Sequence, residues 1–280
     1  MTPARLSPAK INIVLNVLRK REDGYHDIAT LMQMISLYDE MTFTPSAHGI
    51  SIRCPGSNLP ENEGNIVYRA AQALFSKMAY PGGITITLRK SIPLAAGLGG
   101  GSSNAATTLL TLNELLGFGL DTAELIAIAK ELGADVPFFI FRKAAAWAFG
   151  IGERLEPAKG IPNLWLILIN PGFELSTKTV YEKLNLRLTN APNHYSIPRF
   201  YTVHDLAAGL HNDLEKVSLQ LHPLLRNIKE LLLRNGALGA LMSGSGPTVF
   251  GIFEDESSAI DAEKNIRTVG DWSIFRVATL

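Results

Sequence analysis

Hydrophobic residues along the chain follow two spacings, one typical of strands and one typical of helices. Apolar runs at residues 11–17 and 164–169 predict buried strands, and the alternation at residues 84–88 predicts a half-buried strand. Residues 249–253 and 273–278 predict two late strands. We expect these five segments to form sheets.

Helical spacing marks three other segments. Residues 102–116 are rich in Ala and Leu at helical spacing. Residues 121–132 begin with an aspartate three positions before a glutamate, which is the spacing of a capping box. Residues 214–233 have a helical period that is broken near Pro223, because proline does not continue a helix.

The order of these elements indicates an α+β fold, because strands and helices mix without a strict βαβ rhythm. A turn is expected at residues 22–26, and a polar, Asn-rich loop at residues 189–196. A domain boundary near residues 156–160 predicts two domains, 1–156 and 157–280.

Composition and charge restrict the functional classes. The 280 residues are 46% hydrophobic, and 26 basic residues balance 26 acidic ones, so the formal net charge is zero. Proteins that coat nucleic acid or an anionic membrane carry a basic excess, so we expect neither partner. No apolar run approaches the roughly 18 residues that span a membrane, and we expect no secretion signal. The expected location is therefore cytoplasmic.

Cysteine and histidine usage argues against a metal or disulfide framework. Cys54 is the single cysteine, so no disulfide and no cysteine-based zinc site can form within the chain. We expect Cys54 to be an unpaired residue of a strand at residues 50–54 and not a nucleophile. The six histidines show no metal-ligand spacing, so the sequence predicts no intrinsic metal site.

The most informative segment is glycine-rich and lies between a predicted strand and a predicted helix. Glycine permits positive φ and close approach to a phosphate, and the following helix offers N–H groups and a positive dipole end. The two serines can cap that helix and donate hydroxyls to phosphate. A tight turn needs only one or two glycines, so a phosphate site is favoured over a plain turn. Its candidate residues are Gly97, Gly99, Gly100, Gly101, Ser102 and Ser103.

Three well-known nucleotide-binding signatures do not match this segment. The chain contains no Gly-Lys pair, which a P-loop requires. The pattern that starts at Gly97 ends in serine where a Rossmann loop requires glycine. The His-Arg-Asp and Asp-Phe-Gly signatures of protein kinases are absent. The loop therefore belongs to another phosphate-binding class.

Four side chains are candidates for chemistry, although each has a plain structural explanation. Lys10 fits a solvated residue before the first strand, Asp135 fits a loop cap, and Tyr25 with His26 fits surface packing. A lysine beside an aspartate can instead hold a substrate hydroxyl and offset phosphoryl charge. An aromatic face with an imidazole can hold a base. A second glycine segment, residues 236–248, fits a hairpin turn and a substrate-closing loop equally well.

These segments, taken in order, resemble the GHMP kinase superfamily, which is named after galactokinase, homoserine kinase, mevalonate kinase and phosphomevalonate kinase. The resemblance covers both halves of the chain. Within the superfamily, the Pro-Ala-Lys-x-Asn start and the Asp-Gly-Tyr-His turn are similar to the branch with a cytidylyl substrate. The matching motifs lie at residues 7–12, 21–26, 97–106, 133–137, 150–153, 212–215 and 243–246.

The resemblance implies a two-domain α+β fold, with an N-terminal half like ribosomal protein S5 domain 2 and a ferredoxin-like C-terminal half. It implies ATP-dependent phosphorylation of the 2-hydroxyl of a cytidine diphosphate-linked methylerythritol, in non-mevalonate isoprenoid biosynthesis. Mg²⁺ is implied because it bridges phosphates and neutralises developing charge. The sequence names no Mg²⁺ carboxylate and no oligomeric state.

The same resemblance implies roles for individual residues. Asp135 would be the base or charge partner at the substrate hydroxyl, Lys10 would lie between it and the γ-phosphate, and Asn12 would position the hydroxyl. The cytosine would be held by Tyr25, His26, Thr177 and Tyr181. ATP would be bound by Asn65 and Lys90 on the adenosine side and by the loop residues Pro93, Ala96, Gly97, Leu98, Gly99, Gly100, Gly101, Ser102 and Ser103.

Two other functions remain as alternatives. Another GHMP kinase, of the mevalonate or homoserine type, would not need Tyr25 and His26, because its substrate carries no cytosine. A nucleotide-binding sensor without turnover would not need Lys10 and Asp135. Asn104 stands where the family often has an aspartate, so a role in metal binding is less expected there.

Overall fold

A computed structural model of the chain describes residues 3–184 and 195–280 and gives these residues eleven strands and nine helices. The strands are β1 (Arg5–Lys20), β2 (His26–Ser46), β3 (Gly49–Arg53), β4 (Gly83–Arg89), β5 (Ala145–Gly150), β6 (Arg154–Pro157), β7 (Trp165–Asn170), β8 (His211–Asn212), β9 (Gly239–Met242), β10 (Val249–Phe253) and β11 (Ser273–Ala278). The helices are α1 (Ile66–Lys77), α2 (Gly100–Leu115), α3 (Thr122–Leu132), α4 (Val136–Ile140), α5 (Thr177–Lys183), α6 (Val203–Ala208), α7 (Glu215–Leu221), α8 (Leu224–Arg234) and α9 (Glu256–Ile266). Strands and helices mix as predicted, which confirms the α+β class.

The predicted elements are present, with some changes of extent. The strands β10 and β11 match their predicted residues, and α7 and α8 are separate helices because Pro223 stands at the start of α8. The capping box of α3 is confirmed, since the Asp121 carboxylate accepts from the Glu124 N–H at 2.8 Å and the Glu124 carboxylate accepts from the Asp121 N–H at 3.0 Å. Most of the loop predicted at 189–196 lies outside the described residues.

The chain forms two compact units that interleave along the sequence. Unit 1 consists of Met1–Ala9, Leu37–Pro93 and Gly99–Lys143, and unit 2 consists of Lys10–Ser36, Leu94–Leu98 and Ala144–Leu280. The larger sheet has the strand order β3-β4-β2-β1-β8, with β5 beside β2 and β6 beside β5, and β1 and β2 each contribute to both units. The two domains expected from the sequence, 1–156 and 157–280, stay a prediction.

Unit 1 is organised around helix α2. In its sheet, β3 runs parallel to β4, and β4 pairs antiparallel with the second half of β2. Helix α2 contacts α1, α3 and α4, and it buries Ala105, Ala106, Leu109 and Leu112. Because these small and aliphatic side chains fix the helix on several sides, the position of its N-terminal turn is fixed as well.

Unit 2 contains a second, antiparallel sheet with the strand order β11-β7-β10-β9. The elements β7, α8, β9, β10, α9 and β11 form a βαββαβ arrangement, with α5, α6, β8 and α7 inserted between β7 and α8, which confirms the ferredoxin-like half. Helix α8 packs on this sheet and buries Leu225, Ile228 and Leu232. The N-terminal half of β2 pairs with β5, and β1 pairs in parallel with β8.

Cys54 follows β3 directly, so the strand predicted at 50–54 ends one residue earlier, at Arg53. The thiol is free and buried, and burial raises its pKa. This environment supports the prediction of an unreactive cysteine, since the thiolate is the nucleophilic form. Within residues 3–184 and 195–280, no helix is both long and apolar enough to cross a membrane.

Candidate active site

The first half of the glycine-rich loop, residues 94–98, lies in unit 2 between β1 and the turn that joins β9 to β10. The Lys10 N–H donates to the Leu98 carbonyl at 2.9 Å. On the other side, the Thr248 N–H donates to the Ala96 carbonyl at 3.4 Å. The loop is therefore held by backbone hydrogen bonds to two elements.

The closest approach within unit 2 joins Gly97 to the β9–β10 turn. Ser243 Oγ donates to the Gly97 carbonyl at 3.0 Å and accepts from the Asn12 N–H at 3.3 Å. Gly97 has φ of +75°, and a Cβ there would lie 2.1 Å from the Ser243 carbonyl oxygen. The second glycine segment is thus a hairpin turn, one of its two predicted forms, and it packs directly on the loop.

The second half of the loop begins helix α2 in unit 1. Gly99, with φ of +68°, is the N-cap, and no side chain caps the helix. The prediction that Ser102 and Ser103 cap α2 is wrong, because both lie inside its first turn. Ser103 is buried, and its Oγ accepts from Ser7 Oγ at 3.0 Å.

The N-terminal turn of α2 is open where a phosphate would approach. The first N–H groups of a helix have no acceptor within it, and the helix dipole adds positive potential there. Gly101 is exposed, and a Cβ there would meet only Ile66 Cγ2, at 3.8 Å. This 16-residue helix has no acidic residue in its first turn. The turn is thus suited to bind an anion.

A buried ion pair lies beside this turn. The Lys90 ammonium pairs with the Asp39 carboxylate and donates to Asn104 Oδ1 at 3.1 Å. Asp39 also accepts from the N–H groups of Ser91 and Ile92, at 2.8 and 2.9 Å. Burial lowers the pKa of Lys90, and the Asp39 charge opposes that shift.

The position of Lys90 relates it to the phosphate loop. A Cβ at Gly100 would lie 3.1 Å from Lys90 Nζ, so the ammonium is next to the first residue of α2. Asn104, which stands where the family often has an aspartate, donates to Asp39 at 3.0 Å and to Ser7 Oγ at 3.0 Å. The amide therefore completes a hydrogen-bond network around one carboxylate.

Asn65, the other residue expected near adenosine, has a structural role in unit 1. It is the N-cap of α1, where its Oδ1 accepts from the Val67 N–H at 3.0 Å. Its Nδ2 donates to the Pro60 carbonyl at 2.8 Å and lies 3.6 Å from Cys54 Sγ. Contact of Asn65 with adenosine stays a prediction.

Lys10 and Asn12 lie in the interior of β1. Lys10 is 3% exposed, so the expectation of a solvated residue before the strand is wrong, because β1 begins five residues earlier. Lys10 Nζ donates to Asn12 Oδ1 at 2.6 Å, and Asn12 Nδ2 donates to Thr30 Oγ1 at 2.8 Å. A buried ammonium and a buried amide are thus connected by a hydrogen bond in unit 2.

Asp135 is half-buried in unit 1, directly before α4. It stands at the N-cap position, but its side chain makes no capping hydrogen bond. The carboxylate therefore does not cap helix α4, and both the loop-cap interpretation and the catalytic role of Asp135 stay predictions.

The residues expected around the cytosine come together in part. The rings of His26 and Tyr181 stack in unit 2 with centroids 5.0 Å apart and planes inclined by 29°. Tyr25, on the β1–β2 turn, is 60% exposed. Thr177 Oγ1 lies 2.8 Å from Ser245 Oγ. Burial lowers the pKa of His26, with a smaller effect from the positive charge of Lys20, so the neutral imidazole predominates at pH 7.

Two residues that support the site were missed from the sequence. Ser243 connects the hairpin turn to Gly97, and the chain gives no local signal of that pairing. Asp39 did carry a signal, because it stands in a largely apolar run of β2, and a buried carboxylate needs a partner.

Comparisons with known proteins agree with this architecture. The family of GHMP kinases N terminal domains matches residues 65–143, and that of GHMP kinases C terminal domains matches residues 198–271. The chain is 62% identical, over 98% of each chain, to 4-diphosphocytidyl-2-C-methyl-D-erythritol kinase from Syntrophus aciditrophicus.

Solved structures give the same result. The structure of a 4-(cytidine 5'-diphospho)-2C-methyl-D-erythritol kinase matches with a TM-score of 0.83 and 36% identity, over 99% of each chain. A homoserine kinase from Cytophaga hutchinsonii matches with a TM-score of 0.75 over 99% of this chain and 94% of its own, but at 19% identity it shares the fold alone. The chain therefore belongs to the GHMP kinase family, in its 4-diphosphocytidyl-2-C-methyl-D-erythritol kinase branch.

Proposed function

We propose that this chain transfers the γ-phosphoryl group of ATP to the 2-hydroxyl of 4-diphosphocytidyl-2-C-methyl-D-erythritol, giving the 2-phosphate and ADP. The observation that carries the proposal is the 62% identity, over nearly the whole chain, to a kinase named for that substrate. This activity belongs to non-mevalonate isoprenoid precursor biosynthesis. The chain is a kinase that uses ATP, as its two GHMP domains imply.

The triphosphate of ATP binds at the N-terminal turn of α2 in this proposal. Unpaired N–H groups, the helix dipole and the exposed Gly101 support it. Lys90 adds a positive charge beside Gly100, and Asn65 is assigned to the adenosine side. The remaining nucleotide contacts are assigned to Pro93, Ala96, Gly97, Leu98, Gly99, Ser102 and Ser103.

The proposed reaction needs one proton acceptor and positive charge near the transferred group. The substrate hydroxyl oxygen forms a bond to the γ-phosphorus, the bond from that phosphorus to the β-phosphate oxygen breaks, and ADP leaves. We assign the hydroxyl proton to the Asp135 carboxylate. We assign Lys10 to the charge of the γ-phosphate and Asn12 to the orientation of the hydroxyl.

Cytosine recognition is assigned to the stacked pair His26 and Tyr181, together with Tyr25 and Thr177. The rings offer faces for stacking on a base. The lowered pKa of His26 keeps the imidazole neutral, so it has one N–H donor and one acceptor nitrogen for the edge of the base. Mevalonate and homoserine would leave this surface without a partner.

Mg²⁺ is proposed to enter with ATP. The described part of the chain contains no group of three His, Cys, Asp or Glu side chains that could hold a metal ion. We therefore assign most of the Mg²⁺ ligands to the phosphates of ATP and to water, which often bind Mg²⁺ in proteins. When bound, the ion would neutralise part of the phosphate charge.

The cytoplasmic location expected from the sequence also remains a proposal.

The first experiment measures ADP release by the purified chain with ATP and Mg²⁺ and one of four acceptors. These are the cytidylyl methylerythritol, mevalonate, homoserine and galactose. We expect turnover with the cytidylyl compound alone. Turnover with another acceptor would be consistent with a GHMP kinase but would refute the proposed substrate. ATP binding without turnover of any acceptor would support the alternative of a nucleotide-binding sensor.

The second experiment tests the proton acceptor. Asp135→Asn should abolish turnover and leave the ATP affinity close to that of the wild type, because the amide cannot accept the proton. Asp121→Asn is the matched control, since it changes an exposed carboxylate of the same unit and asparagine also caps helices well. Near-full activity of the Asp135 variant would refute its role.

A further inference from the structure

A directed series of hydrogen bonds connects β1 and β2 inside unit 2. Lys10 Nζ donates to Asn12 Oδ1 at 2.6 Å, and Asn12 Nδ2 donates to Thr30 Oγ1 at 2.8 Å. Thr30 Oγ1 in turn donates to the Val14 carbonyl at 2.6 Å. The three side chains are 3%, 3% and 2% exposed, in this order, so water competes little for these bonds.

The two ends of the series determine the direction of every bond in it. A carbonyl only accepts, so the Thr30 hydroxyl proton points to Val14. The hydroxyl oxygen then presents a lone pair to Asn12, and that lone pair selects the NH₂ end of the amide. The amide oxygen is left to face the Lys10 ammonium, which only donates.

We infer that Thr30 is a positioning residue for phosphoryl transfer, because it holds the Asn12 amide in the orientation that binds the Lys10 ammonium. The inference rests on the proposed roles of Lys10 and Asn12. Thr30 acts through Asn12 and is given no contact with substrate. Without the hydroxyl, the amide keeps only one of the two partners that fix its orientation, and its NH₂ group loses the acceptor that holds Asn12 in place against the ammonium.

A threonine that only fills space in the sheet would behave differently. Its loss would lower stability, and its effect on turnover would not depend on Asn12. Thr108 provides a matched control in α2, because it is fully buried and its hydroxyl donates to the Asn104 carbonyl at 2.8 Å. Thr108→Val removes a buried hydroxyl of the same kind outside the Lys10–Asn12 series.

The experiment compares Thr30→Val, Thr30→Ser and Thr108→Val with the wild type for kcat, KM for ATP and thermal unfolding. We expect Thr30→Val to lower kcat about 10- to 100-fold, as misplacement of a catalytic group does, and to change the KM for ATP less than about twofold. Thr30→Ser should restore most of the kcat, because it keeps the hydroxyl. Thr108→Val should keep the wild-type kcat.

A double-mutant cycle separates positioning from packing. In an Asn12→Ala background, Thr30→Val should cause no further loss of kcat, since the group it positions is gone. Additive losses, a wild-type kcat for Thr30→Val, or equal losses for Thr30→Val and Thr30→Ser would each overturn the inference. Should Thr30→Val not fold, Thr30→Ala takes its place in the cycle, because it also lacks the hydroxyl and adds no methyl group.

The wild-type assay keeps the two proposals apart. A wild type that does not phosphorylate the cytidylyl methylerythritol refutes the proposed function. A wild type that does so, together with a Thr30→Val variant of unchanged kcat, refutes the inference alone.

Discussion

The backbone of Ser243 occupies the space that a side chain at Gly97 would need. The distance from a Cβ on Gly97 to the Ser243 carbonyl oxygen would be 2.1 Å, and φ at Gly97 is +75°. Both partners are backbone, so neither can rotate away. We expect Gly97→Ala to destabilise the protein by roughly 2–5 kcal/mol, from overpacking and backbone strain together. Chemical denaturation measures this loss directly.

The control for Gly97→Ala is Ser243→Ala, which removes the hydroxyl bond to the Gly97 carbonyl and keeps the backbone contact. It should cost about 1–3 kcal/mol, the usual effect of leaving buried groups unpaired. A Gly97→Ala protein as stable as the wild type would show that the loop and the turn separate easily in solution.

Gly101 should respond to substitution in the opposite way. A Cβ there would meet only Ile66 Cγ2, at 3.8 Å, and alanine favours the helix by up to about 1 kcal/mol. We expect Gly101→Ala to unfold at the wild-type temperature or slightly above it. The same methyl group lies where the phosphate is proposed to approach, so the KM for ATP should rise about tenfold, which corresponds to 1.4 kcal/mol. An unchanged KM for ATP would show that the phosphates do not bind at this turn.

Asp39→Asn should be among the most destabilising single changes in unit 1. It leaves the Lys90 ammonium, whose side chain is 8% exposed, without its carboxylate. Removal of one partner of a buried pair costs about 3–5 kcal/mol. Glu114→Gln is the control, because it breaks the exposed pair with Arg5 and should cost at most about 1 kcal/mol. Equal losses in the two variants, measured by urea denaturation, would contradict the importance of the buried pair.

The sequence correctly predicted those features of the helices that depend on residues close to one another in the chain. The capping box at Asp121 and the break at Pro223 depend on neighbouring residues, so the spacing alone was sufficient. The length of β1 was underestimated, because residues 5–10 show no simple alternation of hydrophobic and polar side chains, although Ser7, Ala9 and Lys10 are buried. The same cause misplaced Lys10 outside the strand.

The site was predictable to the extent that single segments form it. The glycine-rich loop was recognisable from its composition. Its hydrogen bond with Ser243 was not, because the two residues are 146 positions apart in the chain. The prediction that Ser102 and Ser103 cap α2 was wrong, because the helix begins earlier, after the left-handed Gly99. Thr30 gave no signal, since a threonine in a strand is ordinary until its hydroxyl has a partner.

Substrate recognition should depend on pH through His26. Burial and the Lys20 charge hold its pKa below 6.5, so the neutral imidazole is the major form at and above that pH. We expect the KM for the cytidylyl substrate to stay nearly constant from pH 8 to 7 and to rise as the pH falls through the lowered pKa, below 6.5. Lys20→Gln removes the smaller of the two causes, so the rise should begin at a higher pH. A KM that already rises between pH 8 and 7 would exclude a neutral His26 as the recognising form.

The pKa of His211 is shifted upward, in the opposite direction from that of His26. Its Nε2 lies 2.9 Å from Asp213, and this hydrogen bond raises the pKa of His211 above 6.5 against a smaller opposing effect of burial. The protonated form is thus favoured in the folded state, so its stabilisation is complete below pH 6.5 and is lost as the pH rises through the raised pKa.

NMR titration of the His211 ring should therefore give a midpoint above 6.5, and Asp213→Asn should lower it, because burial then acts without the carboxylate. In urea denaturation, the stability difference between the wild type and His211→Gln should shrink as the pH rises from 6 to 8. A midpoint at or below 6.5 in the wild type would mean that Asp213 is bound in solution mainly by the Val17 N–H, its other partner at 2.7 Å, and not by the imidazole.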